Sequence, residues 1–207
     1  MYFTANGSTI FTDNTCGVNG GAVELSNLDL IVNGHLTFSH NSAGSFGGAL
    51  YASQIGNGPT LTGVRFYGNA AESGGAVFFS AVGTDLYQYS SSEYENITMY
   101  ASVFSGCRFE GNSASSKGGA IYSALGSDWV WNTTFVGNSA DIGGGMSISG
   151  TVYLLNLYFE ENMSSEGRGP AISNGGVISK MVGMLFMDNG YHCLLDSFKG
   201  LKKVSVE

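Results

Sequence analysis

The sequence predicts an all-β fold, a parallel β-helix (solenoid) of about seven coils with one inserted loop at roughly residues 83–100. Three observations carry that expectation. First, one phrase recurs: FTDNTCGVNGGAVE from Phe11, FSHNSAGSFGGALY from Phe38, FYGNAAESGGAVFF from Phe66, FEGNSASSKGGAIY from Phe109 and FVGNSADIGGGMSI from Phe135. It fades to FEENMSSEGRGPAI at Phe159 and FMDN at Phe186. Self-similarity at a period of 20–50 residues marks a stacked repeat. Second, a Gly-Gly pair in each full unit argues against helices, where each Gly costs roughly 1 kcal/mol relative to Ala. Third, the stretches between glycines are short and β-rich, as in LTGVRF (61–66), WVWNTTF (129–135), VYLLNLYF (152–159) and VISKMVGMLF (177–186).

The unit length selects the architecture. Successive motif phenylalanines lie 27, 28, 43, 26, 24 and 27 residues apart. A unit of ~25 residues is too short for a four-stranded propeller blade of ~40–45 and suits one coil of two or three short strands. Coils would stack ~4.8 Å apart. The one long step places an insertion within GTDLYQYSSSEYENITMY, whose polar and aromatic residues follow no clear period and read as a surface loop.

Stacking then assigns each position a task. Phe11, Phe38, Phe66, Phe109, Phe135, Phe159 and Phe186 should pile into an internal column. Asn14, Asn41, Asn69, Asn112, Asn138, Asn162 and Asn189 should form an amide ladder along the axis, and Asn tolerates the left-handed backbone of a corner. Small residues two positions on (Ala43, Ala71, Ala114, Ala140, Ser164) fit a tight inward corner. The Gly pair turns another corner, and the aliphatic residue after it starts the next inward strand. Cys16 and Cys107 occupy small inward slots and read as buried thiols. They lie about three coils apart, roughly 14 Å by the coil spacing, too far to bridge. Cys193 has no evident partner, so no disulfide is expected.

Composition limits the function. The 207 residues include 32 Gly and 2 Pro, and only 12% are charged, with a net charge of −8. That balance disfavours nucleic acid, which needs clustered Lys and Arg. No apolar run reaches the ~18 residues of a membrane span. The start, MYFTANGSTIF, shows no basic-then-apolar signal peptide and begins in mid-repeat, which reads as a fragment of a larger protein. Residues 1–207 are expected to form one β-helix domain, with repeats over about 11–189 and 190–207 as a C-terminal cap or the start of a linker.

The pairing of F-x-x-N with G-G-A-(I/L/V), alternating five times between Phe11 and Met146, resembles the polymorphic membrane protein (Pmp) repeats of chlamydial outer-membrane proteins. The resemblance covers roughly residues 11–189. It implies a right-handed β-helix displayed outside the cell, often as an autotransporter passenger and often adhesive. No membrane barrel is recognisable here, and Gly169-Pro170-Ala171-Ile172 replaces the Gly-Gly-Ala-Ile pattern.

The residues favour a non-catalytic extracellular or surface-displayed module for adhesion, assembly or structural display. No cofactor is expected. The rival is a β-helix that binds or cleaves polysaccharide as a lyase or hydrolase. Lyase chemistry would need calcium-binding carboxylates and a basic residue, and hydrolysis a cluster of acids. The only acidic doublet, Glu160-Glu161, fills the x positions of FEEN. His35, His40 and His192 fall in different repeat positions, so neither a catalytic nor a metal set emerges. Arg65 and Arg108 each precede a motif Phe in successive coils and should stack on one outer face near Glu110, a candidate face for an anionic sugar. Tyr87, Tyr89, Tyr94 and Tyr100 of the insertion suit protein contact. Four sequons offer candidate glycosylation at Asn6, Asn96, Asn132 and Asn162; Asn96, in the insertion, ranks first, and Asn162, an inward motif Asn, last. The expected partner is a surface protein or a glycan.

Overall fold

The computed structural model describes residues 8–26, 30–54, 59–81, 88–91, 94–98, 101–190, 195–196 and 204–205. They form an all-β parallel solenoid of about six turns, close to the expected seven coils, and contain no helix. No helix of the described residues is long and apolar enough to cross a membrane.

Each coil contributes to three parallel sheets. One sheet runs through the motif Phe, with strands such as Leu36–Ser39, Arg65–Tyr67, Arg108–Glu110 and Thr134–Val136. The second follows the motif Asn, from Thr15–Cys16 to Met163–Arg168. The third starts after the Gly pair, for example Leu50–Gln54 and Val77–Ala81. Register locks identical motif positions together: Phe11 faces Phe38, Phe38 faces Phe66, and Phe109 faces Phe66 and Phe135.

The core follows from that register. The seven phenylalanine rings stack with centroids 4.6–5.4 Å apart, and Phe38 to Phe159 are buried. In the Asn column each amide nitrogen donates to the Oδ1 of the next coil at 2.8–2.9 Å. From Asn41 onward the same nitrogen also donates to the Phe carbonyl of the preceding coil. Every donor and acceptor of these buried amides is therefore used, which is what makes a polar column tolerable in a core.

Two corners differ from the sequence reading. The motif Asn does not take the left-handed backbone; the residue before it does, with φ of 48–61° at Asp13, His40, Gly68, Gly111, Gly137, Glu161 and Asp188. The Asn instead keeps its backbone N–H aimed at the next Oδ1. Of the four segments read as single strands, VYLLNLYF and VISKMVGMLF lie within Thr151–Glu160 and Val177–Met187, and the other two are broken. LTGVRF bends at Gly63 between Thr60–Thr62 and Arg65–Tyr67, and WVWNTTF bends at Asn132 between Ser127–Trp131 and Thr134–Val136. Within the insertion, Gln88–Ser91 pairs antiparallel with Tyr94–Thr98 as a small hairpin rather than a plain loop.

Candidate functional site

Positive φ recurs before the motif Phe in six coils: at Gly34, Gly63, Gly106 and Asn132, where the strand breaks, and at Asn156 and Gly183 within the continuous strands Thr151–Glu160 and Val177–Met187. Three successive glycines leave the first part of this line without side chains. A Cβ on Gly34 or Gly106 would meet nothing within 4 Å, and one on Gly63 would meet only the Gly34 Cα at 3.9 Å. The result is an open trench of about 430 Å³ running across the coils. Gly63 and Gly106 lie in its floor, Asn132 stands at one end, and Arg65 and Arg108 line one wall. His35, Thr37 and Thr134 also face it.

The wall is set by strand register. Thr37, Arg65, Arg108 and Thr134 are direct neighbours on four adjacent strands, alternating outward from the buried Phe residues beside them. Both arginines are exposed. Glu110 pairs with Arg108, Oε2 to Nε, at 2.8 Å. Arg65 has no ion pair among the described residues. The structure thus brings together Arg65, Arg108 and Glu110, and sets beside them a groove that sequence reasoning did not single out. Its signal was readable: a Gly or Asn stands three residues before each motif Phe from Phe66 to Phe186.

The remaining candidates are scattered. Asn6, Tyr87 and Tyr100 lie outside the described residues, as do His192 and Cys193. Asn96, Tyr89 and Tyr94 fall in the hairpin strands. Asn132 is exposed at the trench end. Asn162 is fully buried, and its nitrogen already donates to Phe135, Glu160 and Asn189. Cys16 and Cys107 are free thiols, and burial pushes the Cys107 thiol up to about 11. Among the described residues no group of three His, Cys, Asp or Glu side chains is placed to hold a metal.

Sequence reasoning also missed the outer aromatic clusters. Trp129 stacks on Tyr153 at 5.0 Å and meets Trp131 edge-on, with Leu155 beside them. On the third sheet Phe78 stacks on Tyr51 and touches Phe46, and Lys117 sits over Tyr122.

Coils in register, a fully bonded Asn ladder and a Phe column define the class: a parallel β-solenoid built from one tandem repeat. A family model for the Chlamydia polymorphic membrane protein repeat matches residues 8–25, 35–53 and 106–124. Those segments span three Phe-Asn-Gly units and include Arg108, Glu110 and His35. No curated protein and no solved structure matches the chain. Repeat type and fold together fit a surface-type β-helix protein.

Proposed function

We propose that the chain is a non-catalytic β-helix module, extracellular or displayed on a cell surface, that serves adhesion, assembly or structural display. One observation carries this reading. The recurring motif positions are consumed by the interior: rings stack on rings, amides bond to amides, and glycines pass close to backbone. What differs from coil to coil is the outer face, which is where contact with a partner is made. The trench is lined by Arg, His, Thr, Ser and Asn side chains, a set that supports polar contact. Exposed Asn132 and hairpin Asn96 are the acceptors that would carry glycan on such a module.

The second reading is a carbohydrate-binding or polysaccharide-active β-helix, and the open polar trench favours its binding form. The test is bead adhesion. Beads coated with the purified chain are offered to cell surfaces, and soluble polysaccharides are incubated with the same preparation under product detection. Adhesion without turnover is the expected result. Turnover of any polymer would overturn the non-catalytic reading.

A further inference from the structure

We propose that the trench binds a linear anionic carbohydrate, one bearing sulfate or carboxylate groups, laid along the solenoid axis. The proposal rests on the reading of the outer face as a contact surface and names the ligand of that face.

Shape comes first. The floor is backbone, because three coils in a row place Gly at the bend, and each of those glycines has room above it. A rod of stacked coils repeats its surface groups every ~4.8 Å along the axis. A ligand that matches such a surface is itself extended and repetitive.

Charge comes second. The chain carries −8 overall, yet Arg65 and Arg108 sit directly opposite each other on neighbouring strands. Like charges opposed across strands repel. Glu110 answers one of them through Nε and leaves the fork of the Arg108 guanidinium available to an oxyanion. Arg65 has no carboxylate partner among the described residues. An anionic group between the two guanidinia would relieve the repulsion and gain charge-assisted bonds.

Polar chemistry comes third. Thr37, Thr134, His35 and Asn132 present hydroxyl, imidazole and amide groups around the arginines, a mixed set suited to ring hydroxyls. Leu36 and Cys107 touch the trench but are buried, so they offer no apolar anchor of the kind a protein hot spot requires. Two arginines are too few to hold a nucleic-acid backbone against a net negative chain.

The test is calorimetric titration of the full chain, produced without glycosylation so that Asn132 is bare. The probes are a heparin-derived sulfated hexasaccharide, a hexagalacturonate and neutral maltohexaose. One or both anionic oligomers should bind, the neutral one should not, and salt of about 0.5 M should weaken binding. R65Q/R108Q should raise Kd about tenfold or more, a loss of at least about 1.4 kcal/mol. Both arginines are exposed, so an unchanged circular-dichroism spectrum and melting point should accompany that loss. Thr37→Trp, which projects a ring over the trench, should weaken binding independently of charge. The sulfated and carboxylated arms tell the two anions apart. Failure of both anionic probes to bind, equal binding of maltohexaose, or full binding by R65Q/R108Q would each overturn the proposal. If bead adhesion survives while no oligomer binds, the ligand assignment falls and the adhesive reading stands. If an oligomer binds and is cleaved, the assignment stands and the non-catalytic reading falls.

Discussion

Asp128 shows what a single inward residue can impose. It lies in the strand Ser127–Trp131, is 2% exposed, and is in register with Ser102 on one side and Val152 on the other. Burial pushes its carboxyl up to about 7, and the facing Ser123 and Ser102 hydroxyls, which act in the opposite direction, do not offset that. The folded state therefore holds a proton that the unfolded chain releases near pH 4. A raised acid pKa means this stabilisation is complete below about pH 4 and is lost as pH rises to about 7, with no further change above. The span is on the order of 4 kcal/mol. Asp128→Asn should come closest to the parent in urea midpoint below about pH 4 and exceed it near pH 7.5. Parallel midpoints of parent and variant across that range would refute the account. Cys107 is inert for a related reason, since burial keeps it a thiol and its Sγ lies 3.4 Å from the Leu61 carbonyl. Iodoacetamide labelling mapped by mass spectrometry should leave Cys107 unmodified at neutral pH until urea unfolds the chain. Rapid labelling under native conditions would contradict its placement.

At the scale of the coil, glycines do two different jobs, and substitution should separate them. A Cβ on Gly75 would overlap the backbone carbonyls of Gly119 and Ser113, neither of which can move without breaking the sheet. Gly111 has open space around it but a φ of 61°. Gly111→Ala should cost about 1–2 kcal/mol, the strain of a left-handed residue. Gly75→Ala should cost more than about 3 kcal/mol or leave the chain insoluble. Urea midpoints of the two variants decide the matter, and equal losses would deny the close approach. The difference was partly legible: Gly-Gly stands in every full unit, whereas the left-handed slot before the motif Asn is filled by Asp, His, Gly and Glu in turn. That mixture hid a shared backbone conformation behind unlike side chains. The bends at Gly63 and Asn132 were hidden for another reason. β-favouring residues flank them on both sides, so LTGVRF and WVWNTTF read as unbroken strands.

Across the whole molecule the fold was readable because one register serves every coil, and a residue's place in the phrase fixes its place in the cross-section. The trench left only the recurring Gly or Asn before each motif Phe as a trace in the sequence, because it is made where side chains are missing and where residues 26 to 43 positions apart come side by side. The same stacking makes the rod nearly one-dimensional, with each coil held by its two neighbours. Its most vulnerable joint lies between Asn69 and Asn112, where the covalent path is longest, 43 residues, and the coils are coupled by lateral contacts. Asn112 Oδ1 accepts both the backbone N–H and the amide of Asn69, and its own amide donates to Asn138 and to the Phe66 carbonyl. Asn112→Ala leaves those buried groups unanswered and should cost roughly 3–5 kcal/mol. It should also uncouple the halves. Tryptophan fluorescence, which reports Trp129 and Trp131 on the later side, should then separate in denaturant midpoint from circular dichroism of the whole chain. Asn14→Ala, at an exposed rung, should lower stability by less than about 1 kcal/mol and leave the two probes coincident. Coincident probes in Asn112→Ala, with a loss no larger than at Asn14, would mean that the aromatic column and the sheets, rather than the amide ladder, carry cooperativity along the rod.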